Sequence, residues 1–84
     1  MIKIKYFAHL AETLQSRGED LEFNGTIVKV GGLLDLLRSR GEPWVSQFSS
    51  KNSVLIALNH EICDSNATLK SGDEVGFFPP VTGG

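Results

Sequence analysis

The sequence predicts an α+β domain in which a mixed sheet is covered on one face by one main helix. Three observations predict it. Residues 1–7 alternate between apolar and polar side chains, residues 33–40 carry four leucines within five positions, and residues 54–58 form a continuous apolar run. Short strand-like segments around one strongly apolar helix are typical of a sheet with a helix packed on it. A chain of 84 residues accommodates one such domain.

The first strand is predicted over residues 1–7, where isoleucine and tyrosine occupy one side and lysine the other. Strict alternation of this kind is typical of a strand buried on one face. Phe7 falls on the lysine side, where an apolar residue is unexpected. A short helix is predicted over residues 8–15 from two leucines four positions apart, and Gly18 is a plausible stop for it.

Two β-rich segments are predicted next, over residues 20–23 and 26–30. Asn24-Gly25 lies between them and carries the sequence signal of a tight turn. The pattern therefore favours a strand, a hairpin-like turn, and then a second strand or a loop.

The main helix is predicted over residues 33–40, entered from Gly31-Gly32 and ended by Gly41. Basic residues in its last turn and a glycine after it are typical of a helix C-terminus. In the connector that follows, Trp44 and Phe48 are four positions apart, which is consistent with a single packed turn.

The C-terminal third predicts the remaining strands. Residues 54–58 are expected to form an interior strand, and Ile62 is expected on a short return strand after a turn at residues 59–61. A turn at residues 71–73 then leads into a last strand over residues 74–78, which must end at the double proline that follows. We expect residues 1–78 to form the domain and residues 79–84 a flexible tail.

Composition excludes several classes of protein. Eight basic and ten acidic residues give a net charge of −2, whereas nucleic-acid binders usually show a basic excess. The single cysteine cannot form an internal disulfide framework. No apolar run approaches the roughly 18 residues of a membrane span, and residues 1–5 lack the apolar core of a signal peptide. We therefore expect a small cytoplasmic protein that binds neither nucleic acid nor membrane.

The C-terminal tail is the most informative segment. The last ten residues carry no charge, and an apolar strand runs directly into Pro79-Pro80-Val81-Thr82-Gly83-Gly84. The prolines favour an extended path, and a terminal glycine presents an unhindered carboxylate that can enter a narrow tunnel. A chance Gly-Gly terminus or a linker remnant is the alternative, although a flexible linker is usually rich in glycine and serine rather than in proline. The tail therefore predicts a carboxylate that a partner enzyme activates as a mixed anhydride.

The segment Ser71–Gly84 resembles the C-terminal signature of the MoaD-type small subunit of molybdopterin synthase, a sulfur carrier with the ubiquitin-like β-grasp fold. The opening strand and Ala57-Leu58-Asn59 also resemble this family, so the similarity covers nearly the whole chain. It is weakest over residues 17–53. Gly31-Gly32 departs from the family, in which a polar residue is commoner at the start of the main helix.

The resemblance implies a mechanism in two stages. An adenylating enzyme of the ubiquitin-activating type uses ATP to convert the Gly84 carboxylate to an acyl-adenylate, and a sulfur donor then leaves a thiocarboxylate on Gly84. The tail inserts into the large catalytic subunit, where sulfur is transferred to cyclic pyranopterin monophosphate to build the dithiolene of molybdopterin. Gly83 gives access to the terminal carbonyl. The implied assembly is a heterotetramer of two small and two large subunits.

On this reading the chain binds no cofactor itself. Catalytic residues are expected in the large subunit, so the small chain is a sulfur donor within an enzyme complex, and whether it counts as an enzyme stays open. Phe7 and Phe78 fall on outward-facing positions of their strands, and the resemblance implies a further apolar interface residue at Ile62. These three residues are the predicted anchor for the large subunit, together with the tail residues Pro79, Pro80, Val81 and Thr82. The alternative is that Phe7 or Phe78 packs beneath a loop.

Two residue types that often carry chemistry are interpreted otherwise. His9 and His60 are isolated, with no second ligand at metal spacing, so no metal site is predicted. Cys63 has no basic neighbour and is interpreted as a small apolar residue rather than a nucleophile.

Other functions stay open at this point. One is a related carrier that serves the thiazole pathway of thiamin synthesis, and another is a ubiquitin-like modifier that forms isopeptide bonds with lysines. A third, from a different class, is a passive binding module whose tail is never modified.

Overall fold

The computed structural model describes residues 1–23, 25, 27–49 and 54–79, and within these ranges five strands form one sheet. The strands are β1 (Ile2–Tyr6), β2 (Gly18–Leu21), β3 (Leu55–Leu58), β4 (Glu61–Cys63) and β5 (Glu74–Phe78), and the helices are α1 (Ala8–Leu14), α2 (Val30–Arg38) and α3 (Trp44–Gln47). The sheet order is β2-β1-β5-β3-β4. Strands β1 and β5 are parallel and the other neighbours antiparallel, which confirms the predicted mixed sheet.

The N-terminal and C-terminal strands of the sheet lie side by side. Ile4 is aligned with Val75 and Tyr6 with Phe77, and all four side chains point to the inner face. Because β5 also pairs with β3, it has a hydrogen-bonded neighbour on both sides. The strand from which the tail continues is therefore the central strand of the sheet.

The core lies between the inner face of the sheet and the helices, and α2 supplies its largest helical share. The most completely buried large side chains come from β1, α1, α2 and β5, and they are Phe77, Ile4, Leu10, Leu33, Leu37, Val30 and Val75. Apolar burial of this kind is the main favourable term in folding. The predicted inner face of the first strand and the predicted role of the main helix are confirmed.

The start of the main helix differs from the prediction. Helix α2 begins at Val30, so both Gly31 and Gly32 lie in its first turn, and it ends at Arg38. Lys29 precedes the helix without a side-chain cap. Instead, the backbone N–H groups of Val30 and Gly31 donate to carbonyl oxygens of the loop at residues 65–67, at 3.0 and 2.9 Å. A loop distant in sequence thus accepts the hydrogen bonds of the first N–H groups of the helix, and the sequence around residue 30 does not indicate this.

The segment after α1 also differs from the prediction. Helix α1 ends at Leu14, and Gln15 adopts the left-handed conformation (φ 55°) that caps it. Gly18 does not stop the helix but begins β2, which covers residues 18–21 rather than 20–23. A side chain there is excluded, because a Cβ on Gly18 would lie 2.5 Å from the carbonyl oxygen of Ile4.

Of the two alternatives for residues 26–30, a strand or a loop, the described residues 27–29 form a loop. Lys29 forms only an isolated bridge with Thr68, and Val30 is already helical. Asn24 and Thr26 lie outside the described residues.

The C-terminal predictions are confirmed closely. The Trp44–Phe48 turn is α3 with its flanking residue, and Ile62 lies on the short return strand β4. Strand β3 begins one residue later than expected. Asn59 and His60 both have positive φ (50° and 71°), so β3 and β4 are joined by a two-residue turn whose twist matches that of the strands.

A polar cluster closes one edge of the core. The Tyr6 hydroxyl donates to Glu19 at 2.9 Å, and the Arg40 guanidinium donates two hydrogen bonds to the same carboxylate, at 2.6 and 2.7 Å. Arg40 also lies over the Trp44 ring, 4.6 Å from its centroid. This arrangement ties β1 and β2 to the segment between α2 and α3.

Candidate partner-binding face

The outer face of the sheet, opposite α2, carries a row of aligned residues. Lys5 on β1 is opposite Gly76 on β5, Gly76 is opposite Ala57 on β3, and Ala57 is opposite Ile62 on β4. Alternation along a strand places these side chains on the face away from the core. Gly76 and Ala57, in the middle of the row, have small side chains or none, so the surface at the centre of this face is recessed.

Phe7 and Phe78 form an aromatic stack at one side of this row. Their ring centroids are 4.4 Å apart and their planes differ by 3°. Phe7 is 38% exposed, so it does not pack beneath a loop. A Cβ on Gly76 would lie 3.1 Å from Phe7 and 3.4 Å from Phe78, so the glycine gives both rings room against the sheet. The structure therefore brings these two predicted residues together on adjacent strands.

Ile62 lies at the far edge of the same face and is 71% exposed, the highest value among the large apolar residues of the described ranges. The hairpin turn at Asn59-His60 holds it there. A depression of about 460 Å³ joins Ile62 to Phe7 and Phe78. All three predicted anchor residues thus line one concave surface. We call this surface the Phe patch. Binding of a partner to it stays a prediction.

Leu55 was missed by the sequence analysis. It is aligned with Phe78 across the β3–β5 ladder and is 41% exposed, so it extends the Phe patch. Its position is predictable in retrospect, because Leu55 has the same parity as Ala57 in a run of five apolar residues. The continuous run concealed this alternation.

Charged residues border the Phe patch on the side away from Leu55. The Glu74 carboxylate lies 3.7 Å from both Lys5 Nζ and His60 Nε2. The Asn59 side chain positions this border, since its amide donates to Asp73 and its oxygen accepts from the Glu74 backbone, both at 3.0 Å. An apolar centre with a polar rim is the usual composition of a protein interface.

The tail continues from the same place. Phe78 ends β5, and Pro79, which is half-buried, follows it. The other predicted site residues, namely Pro80, Val81, Thr82, Gly83 and Gly84, lie outside the described residues. Their roles stay predictions.

Cys63 is half-buried and packs against the core. Burial, and next the neighbouring Asp64 carboxylate, raise the pKa of its thiol, which lowers the fraction of reactive thiolate. This supports the interpretation of Cys63 as a small apolar residue. Within the described ranges no group of three or more histidine, cysteine, aspartate or glutamate side chains could hold a metal ion, and no helix is long and apolar enough to cross a membrane.

A mixed five-stranded sheet with parallel first and last strands, one main helix across it and a C-terminal tail defines a ubiquitin-like β-grasp protein. The chain belongs to the ThiS family, whose model matches residues 4–84. The match reaches the final glycine and so includes the tail that the sequence analysis singled out.

Two curated relatives align over their full length with the full length of this chain. Both are named molybdopterin synthase sulfur carrier subunit. The one from Escherichia coli is 31% identical over 84 residues, and the one from Haemophilus influenzae is 29% identical over 85 residues. Among solved structures, SAMP1 from Haloferax volcanii, a small archaeal modifier protein, superposes with a TM-score of 0.77 at 30% identity. That alignment covers 99% of this chain and 98% of the modifier. The suspected family and fold are confirmed.

Proposed function

We propose that this chain is the sulfur-carrier small subunit of a molybdopterin synthase. An adenylating enzyme of the ubiquitin-activating type would activate the Gly84 carboxylate with ATP, and sulfur would then replace AMP to give a thiocarboxylate. The loaded tail would enter the large catalytic subunit and give its sulfur to cyclic pyranopterin monophosphate. Two carriers for two sulfurs favour a heterotetramer of two small and two large subunits.

The observation that carries this proposal is the position of the Phe patch. The ring of Phe7, which is exposed, stacks on that of the half-buried Phe78 at the end of β5, where the chain continues towards its terminal glycines. A partner that covers this patch is therefore placed to receive the tail. The names of the two full-length relatives support a partner of the molybdopterin synthase type.

The division of chemistry between chain and partners supports the same function. A carboxylate resists nucleophiles, and converting it to an acyl-adenylate supplies a good leaving group, so the reaction is driven by ATP in the activating enzyme. The chain itself needs only an accessible terminal carbonyl and a surface that partners recognise. A thiocarboxylate sulfur is a softer nucleophile than a carboxylate oxygen, which suits formation of a carbon–sulfur bond.

Intact mass measures the loading step directly. The purified chain is incubated with ATP, an adenylating enzyme of the ubiquitin-activating type and a sulfur source, and we expect a product heavier by the difference between sulfur and oxygen. A chain that lacks Gly84 is the matched control and should show no such product. A wild-type chain that stays at its original mass, with an enzyme that loads a known carrier in parallel, would contradict the proposal.

Protein modification is the second candidate, and one observation favours it. SAMP1, which is named as a modifier, matches this chain at 30% identity over nearly its whole length. A modifier would form isopeptide bonds between Gly84 and lysine side chains. Immunoblots of cells that produce the tagged chain should then show a ladder of heavier species that disappears without Gly84, whereas a dedicated sulfur carrier gives no ladder.

A further inference from the structure

A second concave surface lies beside the Phe patch. It is a groove of about 830 Å³ between the end of β1, helix α1 and the turn at residues 15–17. Lys5 and Phe7 line both this groove and the depression of the Phe patch. A partner seated on Phe7 therefore meets the mouth of the groove, which we call the α1 groove.

The charge of the α1 groove is opposite to that of the whole chain. Among the described residues, its lining holds the basic side chains of Lys5, Arg17 and His9 and a single carboxylate, that of Glu12. The whole chain carries a net charge of −2. Lys5 has one long ion pair, to Glu74 at 3.7 Å, and its side chain stays 45% exposed. Arg17 is exposed and donates no side-chain hydrogen bond to any residue that the structure describes.

The backbone of Arg17 is held in place, although its side chain has no partner among the described residues. Its backbone carbonyl accepts a hydrogen bond from the Tyr6 N–H at 3.0 Å, and Ser16 Oγ bridges across it to the backbone of Gly18. Gly18 allows the close approach to β1 that this turn requires. The turn therefore holds a cation at the groove, so little backbone ordering is needed when an anion binds.

We infer that the α1 groove receives an acidic segment of the large subunit that covers the Phe patch. This inference rests on the proposed function. Three features favour it. The groove is continuous with the Phe patch, and its described lining carries more basic than acidic side chains. The Arg17 backbone is held by hydrogen bonds, while its guanidinium has no hydrogen-bond or ion-pair partner among the residues that the structure describes. Exposed charges at the rim of an interface mainly accelerate association and set the salt dependence, while the buried apolar centre sets the lifetime.

Binding kinetics of Arg17→Glu with the purified large subunit test the inference. We expect the association rate at low salt to fall about tenfold, the difference from wild type to shrink at about 0.5 M salt, and the dissociation rate to change by less than about twofold. The control Lys29→Glu makes the same charge change at an exposed site at the start of α2 and should bind like wild type. Arg17→Ala should show a smaller loss in the same direction, and circular dichroism checks that each variant is folded.

Carbodiimide cross-linking gives a second readout that a merely structural role would not produce. The reagent condenses an amine with a carboxylate in direct contact, with loss of water, so Lys5 should become joined to an aspartate or glutamate of the large subunit. Unchanged association rates for Arg17→Glu, together with the absence of this cross-link, would overturn the inference. If Phe78→Ala loses binding in the same experiment while Arg17→Glu does not, the proposed function stands and only the α1 groove is refuted. If the wild-type chain itself fails to bind, the proposed partner is wrong as well.

Discussion

Phe77 and Phe78 are neighbours in sequence but lie on opposite faces of β5. Phe77 is fully buried and contacts the rings of Tyr6 and Phe48, whereas Phe78 stacks on Phe7 at the outer surface. Strand alternation alone separates the two environments. Substitutions at Phe78 can therefore test binding with little effect on the core.

Phe78→Ala should weaken binding of the large subunit by on the order of 2 kcal/mol, because aromatic anchors in apolar patches carry a large share of interface energy. The free energy of unfolding should change much less, since Phe78 lies outside the core. Calorimetric titration and urea unfolding measure the two effects. Val28→Ala, which shortens an apolar side chain that is 53% exposed and not part of the patch, is the control. Wild-type affinity in the Phe78 variant would refute the role of the patch.

Tyr6 offers a clean test of the polar cluster, because it is the only tyrosine in the chain. Burial, and next the hydrogen bond to Glu19, raise the pKa of its hydroxyl well above the ordinary value of 10.0. A raised pKa means that the cluster's contribution to stability is fully present below pH 10 and is lost as the pH rises through the pKa of the folded state. We expect no phenolate absorbance in the folded chain at pH 10, and half ionisation at this pH in urea.

Replacing the Glu19 carboxylate with an amide tests whether Glu19 helps to raise the pKa of Tyr6. Glu19→Gln removes the negative charge that opposes phenolate formation, so Tyr6 should ionise at lower pH than in the wild type. A wild-type chain whose tyrosine titrates at its ordinary pKa while folded would show that the hydroxyl is not held as described.

At the scale of elements, β2 depends on a contact that only glycine permits. A Cβ at Gly18 would meet a backbone oxygen of β1, which cannot move aside without disturbing the sheet. The edge strand, the Arg17 turn and Glu19 of the polar cluster all follow from this close approach.

Gly18→Ala should therefore destabilise the domain by about 1–3 kcal/mol, the usual cost of overpacking. Urea unfolding measures the change. Gly32→Ala is the matched control: its new Cβ meets only the Ile27 side chain, at 3.3 Å, and alanine favours the helix. A Gly18 variant as stable as the control would contradict the close approach.

Elements that depend on local periodicity were predictable from the sequence, and elements that depend on distant partners were not. The alternation in residues 1–7 and 74–78 gave β1 and β5 and the outward position of Phe7 and Phe78. The predicted start of α2 was wrong, because carbonyl groups at residues 65–67 accept hydrogen bonds from the N–H groups of its first turn. Leu55 was missed because both faces of β3 are apolar, so the sequence alone does not show which one is exposed.

At the scale of the whole molecule, the residues that form the core and the residue proposed to carry the chemistry lie in separate parts of the chain. The buried apolar residues run from Ile2 to Phe77, and the predicted reacting group is Gly84. Both concave surfaces described above are lined by Phe7, which stacks on Phe78 at the end of β5. The domain can therefore be complete without the residue that carries the proposed chemistry.

Removal of Gly84 should leave the free energy of unfolding within about 0.5 kcal/mol of wild type, since every core residue that the structure describes is retained. Thermal unfolding followed by circular dichroism measures this. Retained stability together with lost sulfur loading is the expected pair of results. Unfolding of the shortened chain would mean that the terminus supports the fold, contrary to the separation described above.

The parallel pairing of β1 with β5 also has a mechanical consequence. If the tail enters a partner as proposed, a pull that withdraws it would act along β5, and the hydrogen bonds of β5 to β1 and β3 would share the load in shear instead of opening one after another. Shear of many bonds together resists far more than stepwise unzipping. In the proposed cycle of loading and delivery, the tail would therefore be tethered to the strand of the sheet that has hydrogen-bonded neighbours on both sides.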